Sequence, residues 1–392
     1  MNKGIVSLST VFCLLCMAVT CVGQGYTYAP NTTTTEVLPN GNITFRMSAP
    51  SANSVQLVLG LNSIQLVPGV YGLLNTFQNI PMTKDAHGIW NVTVGPNLPR
   101  VYEYNFLVDG VQVIDPGNGL IKAHRSLGNS LIEVPGNPLY ETQNLPHGKI
   151  NTETYYSSVL NTVRNFIVYT PPGYNATSST LYPVLFVYHG DNDKPETLVD
   201  DDRLPTMIDL MIANGQAVPM VVAMVNLHAL PPENFQSNSG DPLGYFPANL
   251  AYADKELMVD VIPFLKSRYR IRTDSTGMAI SGFSAGGYEA LESGVLHLGV
   301  FGSIGALSPL PSSLLGSDFY NVLGNAILVN QTLKYFYLGI GDQDTETGAG
   351  VFALNAWLDL LRVNHKYDVV NGVHNNYTVS QEFHDFVTML FR

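Results

Sequence analysis

Glycines crowded around one serine, Gly282-Phe283-Ser284-Ala285-Gly286-Gly287, constrain this chain more than any other stretch. Met278-Ala279-Ile280 before them is an apolar run of buried-strand length, and Tyr288-Glu289-Ala290-Leu291-Glu292 after them reads as helix. A strand that becomes a helix at a single residue leaves no room for Cβ atoms beside the turn. Glycines must therefore flank the serine, whose hydroxyl is left standing at the edge of a sheet. Strings of the form G-x-S-x-G also arise by chance, so the weight rests on the flanks and on partners further along.

Two such partners follow in the required order. The apolar stretch Tyr335 to Ile340 ends in Gly341-Asp342-Gln343-Asp344, which offers two acids, and Asp368 to Val370 ends in Gly372-Val373-His374. An acid and a histidine at the carboxyl ends of successive strands, after a serine on an elbow, form the order of a hydrolase triad. His374 would take the Ser284 proton, and the acid would fix the imidazole tautomer and stabilise the imidazolium. The developing oxyanion needs N–H donors. Those expected are the backbone N–H of Ala285, at a helix start, and that of Asp191, after the strand end His189-Gly190.

Other candidates read differently. His384 lies near Phe383 and Phe386 in the last helical stretch and is assigned to packing or surface; His365 follows a helix as a charged C-terminal cap; His189 is structural. Asp200-Asp201-Asp202 is expected to be a solvated acidic loop and not a metal cluster, and no metal or cofactor site is expected elsewhere.

Residues 1–23 read as an export signal: Lys3 precedes an apolar run from Val11 to Val22 that is too short for a membrane span. All three cysteines, Cys13, Cys16 and Cys21, fall inside it, so the exported chain is expected to have neither disulfide nor thiol nucleophile. Residues 24–40 form a flexible lead-in. Over 41–137 the runs are short and alternating, among them Ile43 to Met47, Val55 to Leu59 and Tyr102 to Val108, with Asp109-Gly110 as a hairpin turn. This predicts an antiparallel sandwich. A linker over 138–152 leads into 153–392, where longer apolar strands alternate with helical stretches as in a parallel α/β sheet. One of those helices, Glu256 to Tyr269, is expected to bend at Pro263. A formal charge of −12 without a basic cluster argues against nucleic acid or an anionic membrane as partner. Six N-x-S/T sequons, at Asn31, Asn42, Asn91, Asn175, Asn330 and Asn376, mark possible glycan sites.

Phe45-Arg46-x-x-Ala49-Pro50, Met82-Thr83-Lys84-Asp85-x-x-Gly88-x-Trp90 and Tyr102-x-Tyr104-x-Phe106-x-Val108-Asp109-Gly110 resemble the immunoglobulin-like early-set module related to glycogen-binding domains. Trp90 is placed in its core, the alternative being a sugar-stacking platform. From Tyr155 onward the chain resembles the esterase-D-like branch of α/β-hydrolases, which includes feruloyl, acetylxylan and enterochelin esterases and mycolyltransferases. The motifs are Tyr155-Tyr156-Ser157, Val168-Tyr169-Thr170-Pro171-Pro172-Gly173-Tyr174, Tyr182-Pro183-Val184-Leu185, His189-Gly190, the serine elbow and Gly372-Val373-His374. The acid of that family ends a G-x-G-x-x-D string, here Gly339 to Asp344, so the resemblance selects Asp344 over Asp342.

The resemblance implies an α/β-hydrolase fold preceded by a small all-β sandwich. It also implies a secreted serine esterase that uses Ser284, His374 and Asp344 on feruloyl or acetyl esters of plant cell-wall polysaccharide. A siderophore trilactone esterase, or a carbohydrate-binding protein with a degenerate hydrolase domain, are the alternatives. Two departures stand out. Family members usually carry several glycines after His-Gly, where this chain has Asp191-Asn192-Asp193. A stretch bearing tryptophan often follows the histidine, where this chain has Asn375-Asn376-Tyr377, and a glycan on Asn376 would crowd the entrance.

Overall fold

Alternation decides the first layer. In β2 (Ile43–Ser48) and β3 (Val55–Gly60), every second residue is buried, so each strand has one core face. The computed structural model describes residues 35–60, 77–125, 128–141, 144–230, 242–310 and 316–392. The expected export signal with its cysteines, the first two thirds of the lead-in and the sequon at Asn31 lie outside them.

One sheet joins β2 to β1 (Glu36–Val37) and to β6 (Ile89–Val94), which also pairs β5 (Thr83–Lys84). The other runs from β4 (Phe77–Pro81) through β3 and β7 (Arg100–Val108) to β8 (Val111–Val113), with β9 (Ser130–Val134) also on β7. Asp109 (φ 48°) and Gly110 (φ 85°) make the expected tight hairpin, with Val108 opposite Val111. Phe45, Leu57, Tyr104, Phe106 and Trp90 fill the space between the sheets. Trp90 donates its indole N–H to Ala49 O at 2.9 Å and is nearly buried, so it is a core residue and not an exposed platform.

The second sheet has eight strands in the order β10-β11-β13-β12-β14-β15-β16-β17. They are β10 (Lys149–Ser157), β11 (Thr162–Thr170), β12 (Val184–Tyr188), β13 (Val221–Val225), β14 (Met278–Phe283), β15 (Ser303–Leu307), β16 (Tyr335–Gly341) and β17 (Lys366–Val370). From β13 to β17 the pairings are parallel; β10 and β11 run antiparallel at one edge. The strand β10 begins inside the stretch expected to be linker. It is an edge strand with mostly exposed side chains, so no apolar run announces it.

Helices cover both faces, as α/β connections require. On one face lie α1 (Pro195–Asp200), α2 (Leu204–Ala213) and, at the end of the chain, α9 (Asn376–Val387), packed on Leu185, Val187, Val222 and Met224. The remaining helices are α3 (Pro242–Glu256), α4 (Ile262–Arg268), α5 (Ala285–Leu296), α6 (Ser317–Leu323), α7 (Ala326–Thr332) and α8 (Gly348–Leu361). Residues of α4 to α8 pack on the opposite side chains Val184, Phe186 and Tyr188 and their neighbours. Between α3 and α4 the backbone makes a π turn at Leu257–Val261. Pro263 has no N–H for the carbonyl four residues back, and the helix widens next to it, where the sequence predicts an irregularity.

Candidate active site

At the end of β14 the chain reverses into α5 at Ser284, which has φ 55° and ψ −116°. Non-glycine residues rarely occupy that region, and the neighbours show what enforces it here. A Cβ on Gly282 would lie 2.2 Å from Gly286 O, and one on Gly286 would lie 2.4 Å from His189 O. Ser284 N–H donates to Leu307 O at 3.0 Å, and its carbonyl accepts from Tyr288 and Leu310, which clamps the turn. Ala285 is the first residue of α5, so its N–H is among those that lack an intrahelical partner.

Asp344 follows β16 and His374 follows β17, neighbouring parallel strands. His374 Nδ1 donates to Asp344 Oδ2 at 2.7 Å. The Asp344 side chain is fully buried and also accepts from the N–H groups of Glu346 and Thr347, both at 2.9 Å, and from the Thr347 hydroxyl at 3.0 Å. Burial raises its pKa, but the hydrogen bond and charge of His374 and the Thr347 donors outweigh that and hold it below the ordinary value. Asp342, the other acid, instead accepts from Gly372 N–H at 2.9 Å and braces the loop that carries the histidine.

The imidazole stacks on Phe283, the residue before the serine, with ring centroids 4.6 Å apart. His374 thus lies against the residue next to Ser284. The side chains of His374 and Ser284 make no hydrogen bond to each other among the described residues; in enzymes without substrate this contact is often long and tightens when substrate binds.

Opposite the elbow runs the loop after β12. Buried His189 donates from Nδ1 to Gly190 O at 2.8 Å and accepts Leu227 N–H on Nε2 at 3.1 Å, which fixes a neutral ring. Burial lowers its pKa further, so its role is structural, as the sequence indicates. Asn192 takes φ 63°, the left-handed position that glycine supplies elsewhere and asparagine tolerates. This answers the missing glycines after His189-Gly190. The loop is held from the sandwich side: Arg125 N–H donates to Asn192 O at 2.7 Å, and His124 Nε2 lies 3.0 Å from Asp193.

A cavity of about 90 Å³ opens beside His374, walled by Tyr102, Glu103 and Lys122 of the sandwich and by Asp193, Asp202, Phe283 and Asn376. Two expectations fail here. Asp201 and Asp202 are not solvated; they are 1% and 7% exposed, and Asp201 lies 2.9 Å from Lys122 Nζ. Asn376 cannot carry a glycan in this fold, because it is buried and its amide donates to Asp201 at 2.6 Å. Sequence reasoning missed Lys122 and Glu103 altogether and placed Asp202 in a solvated loop, since their convergence is tertiary and no local spacing announces it. His384 pairs with Asp385 at 3.0 Å, and His365 bonds Val363 O and Asn355 at 2.8 Å, so it braces a loop and does not cap the last carbonyls of α8.

Residues 157–377, more than half of the chain, match the family model for esterases. The chain belongs to the esterase family. This esterase-family chain is 27% identical over 319 residues to an endo-1,4-beta-xylanase/feruloyl esterase of Xylanibacter ruminicola, covering 79% of the chain and 39% of that relative. It thus spans about two fifths of the length of that curated relative. A ferulic acid esterase of the anaerobic fungus Anaeromyces mucronatus superposes with a TM-score of 0.56 at 22% identity, over 65% of this chain and 96% of that one. The enterobactin esterase of Shigella flexneri superposes with a TM-score of 0.62 at 16% identity, over 90% of this chain and 95% of that one. The fold is thus an α/β-hydrolase, with the β-sandwich in front of it.

Proposed function

We propose that the chain is a secreted serine carboxylic-ester hydrolase that removes feruloyl or acetyl groups from plant cell-wall polysaccharide. The observation that carries this is the 2.7 Å bond between His374 and buried Asp344, set beside a serine held on a strained elbow. Ser284 Oγ attacks the ester carbonyl while His374 Nε2 takes its proton and Asp344 stabilises the imidazolium. The N–H groups of Ala285 and Asp191 receive the oxyanion. His374 then returns the proton to the departing alcohol, and a water activated by the same imidazole releases the acid and restores Ser284. No cofactor enters these steps. The feruloyl esterase relative in Xylanibacter ruminicola and the Anaeromyces ferulic acid esterase support the acyl class. Export rests on the leading apolar stretch, and no helix among the described residues is long and apolar enough to cross a membrane.

Ser284→Ala tests the reading. Release of p-nitrophenol from a short-chain ester, and labelling by a fluorophosphonate probe, should both disappear; unchanged turnover would refute it. A trilactone esterase is the second reading, favoured by the match to the Shigella enterobactin esterase across sandwich and sheet alike. Parallel assays on feruloylated xylan, acetylated xylan and a catecholate trilactone separate the two.

A further inference from the structure

Within the cavity beside His374, one side chain has no business with the protein around it. Asp202 is 7% exposed, and its carboxyl makes no hydrogen bond or ion pair with any described residue, although its backbone is held by Thr197 and Ser380. Its neighbours are committed: Lys122 Nζ lies 2.9 Å from both Glu103 and Asp201, and Asp201 also receives the Asn376 amide. The Asp202 oxygens are not sealed off like the unpartnered Oε2 of Glu289 or Glu382; they face the cavity and are free to bond whatever enters it.

The same cavity wall carries His374, and its 90 Å³ is several times the space of one water. We propose that Asp202 is a specificity-determining residue that hydrogen-bonds an uncharged hydroxyl of the ester substrate. This rests on the ester-hydrolase reading above. Three features point to a neutral hydroxyl. Among the described residues Lys122 is the one cation on a wall that also bears Glu103 and Asp193, so a carboxylate would be repelled. Burial and the charges of Asp201, Asp193 and Glu103 push the Asp202 carboxyl well above the usual range against the pull of Lys122. A carboxylic acid in that state both donates and accepts, which matches a hydroxyl and not an ion. Finally, Tyr102 and Phe283 give the cavity the flat apolar surfaces on which a ring lies.

The hydroxyl can belong to the aromatic acyl group or to the sugar, and the test separates them. Steady-state kcat/KM is measured for methyl ferulate, methyl 3-methoxycinnamate, which lacks only the ring hydroxyl, and a feruloyl-arabinose ester. The wild type should favour one hydroxyl-bearing ester over its matched analogue at least tenfold. Asp202→Leu should reduce that ratio about tenfold, and Asp202→Asn, which still donates and accepts, should keep most of it. Loss of the ferulate-to-methoxycinnamate ratio assigns the phenol; loss of the arabinose-to-methyl ratio assigns the sugar. Asp202→Ala is read in the same way if the leucine variant does not fold. Equal rates of the wild type on all three esters, or ratios in a folded variant within twofold of wild type, overturn the proposal. A wild type that hydrolyses a short-chain p-nitrophenyl ester but none of the three overturns the proposal; one that hydrolyses no ester at all overturns the ester reading itself.

Discussion

Asp344→Asn changes one atom, and the geometry fixes what that atom must do. Asp344 Oδ1 accepts the N–H groups of Glu346 and Thr347. The asparagine NH₂ cannot turn toward them without setting donor against donor and losing two buried hydrogen bonds. It must therefore take the Oδ2 position, 2.7 Å from His374 Nδ1. There it donates, so Nδ1 becomes the acceptor and the ring proton moves to Nε2, the nitrogen that should receive the Ser284 proton. Wrong-tautomer variants of this kind lose about 10⁴ in kcat, equivalent to about 5.5 kcal/mol of transition-state stabilisation. The assay is kcat on methyl ferulate or p-nitrophenyl acetate, with circular dichroism to show that the fold persists. Asp342→Asn is the comparison. It keeps an acceptor for Gly372 N–H and should lose less than tenfold. An Asp344→Asn enzyme within tenfold of wild type would refute the role of Asp344 as the group that orients the imidazole.

Two further outcomes follow from buried groups. Gly286→Ala places a methyl 2.4 Å from His189 O and 2.6 Å from Tyr188 O, both backbone atoms. It should cost about 1–3 kcal/mol in a urea titration and slow turnover by parting the elbow from the oxyanion loop, and a midpoint equal to wild type contradicts this. Glu382 is fully buried, with one oxygen on the Ser308 hydroxyl and the other unpartnered, and burial lifts its pKa well above the usual range. The folded state therefore keeps a proton that the unfolded chain releases near pH 4.3, so stability falls as pH rises from there toward the folded-state pKa. The fall is at most about 1.4 kcal/mol per pH unit. Glu382→Gln removes that contribution, and unfolding midpoints measured from pH 5 to 8 should decline less steeply than in wild type; an unchanged slope counts against it.

Much of this was legible from the residues, and the reason is local. The elbow glycines, the acid after β16 and the histidine after β17 each announce themselves within a few positions of a buried strand, because the backbone constraint and the chemistry share one short stretch. The sandwich strands show through their period of two for the same reason. What stayed hidden depends on partners remote in the chain. The edge strand β10 is mostly exposed and polar, so only its pairing with β11 defines it. Asp201 looks like a loop acid until Lys122, from the sandwich, is brought within 2.9 Å of it. Asn376 looks like a glycan site until its amide is seen to be engaged.

Those hidden contacts share one location, and that bears on why the sandwich is there. Lys122 meets Asp201, and Asp201 holds Asn376, two residues past the histidine. Arg100, on β7, stacks on Tyr377 at 4.1 Å, one residue further along. On the other side, Arg125 and His124 hold the loop that carries Asp191. The sandwich thus touches the segment that carries His374 and the loop that carries Asp191, the two loops to which the proposed mechanism gives the base and an oxyanion donor. A module that only tethered the enzyme to polysaccharide would need none of these contacts. Their placement makes the sandwich a structural part of the site, with Glu103 and Lys122 as its share of the cavity wall.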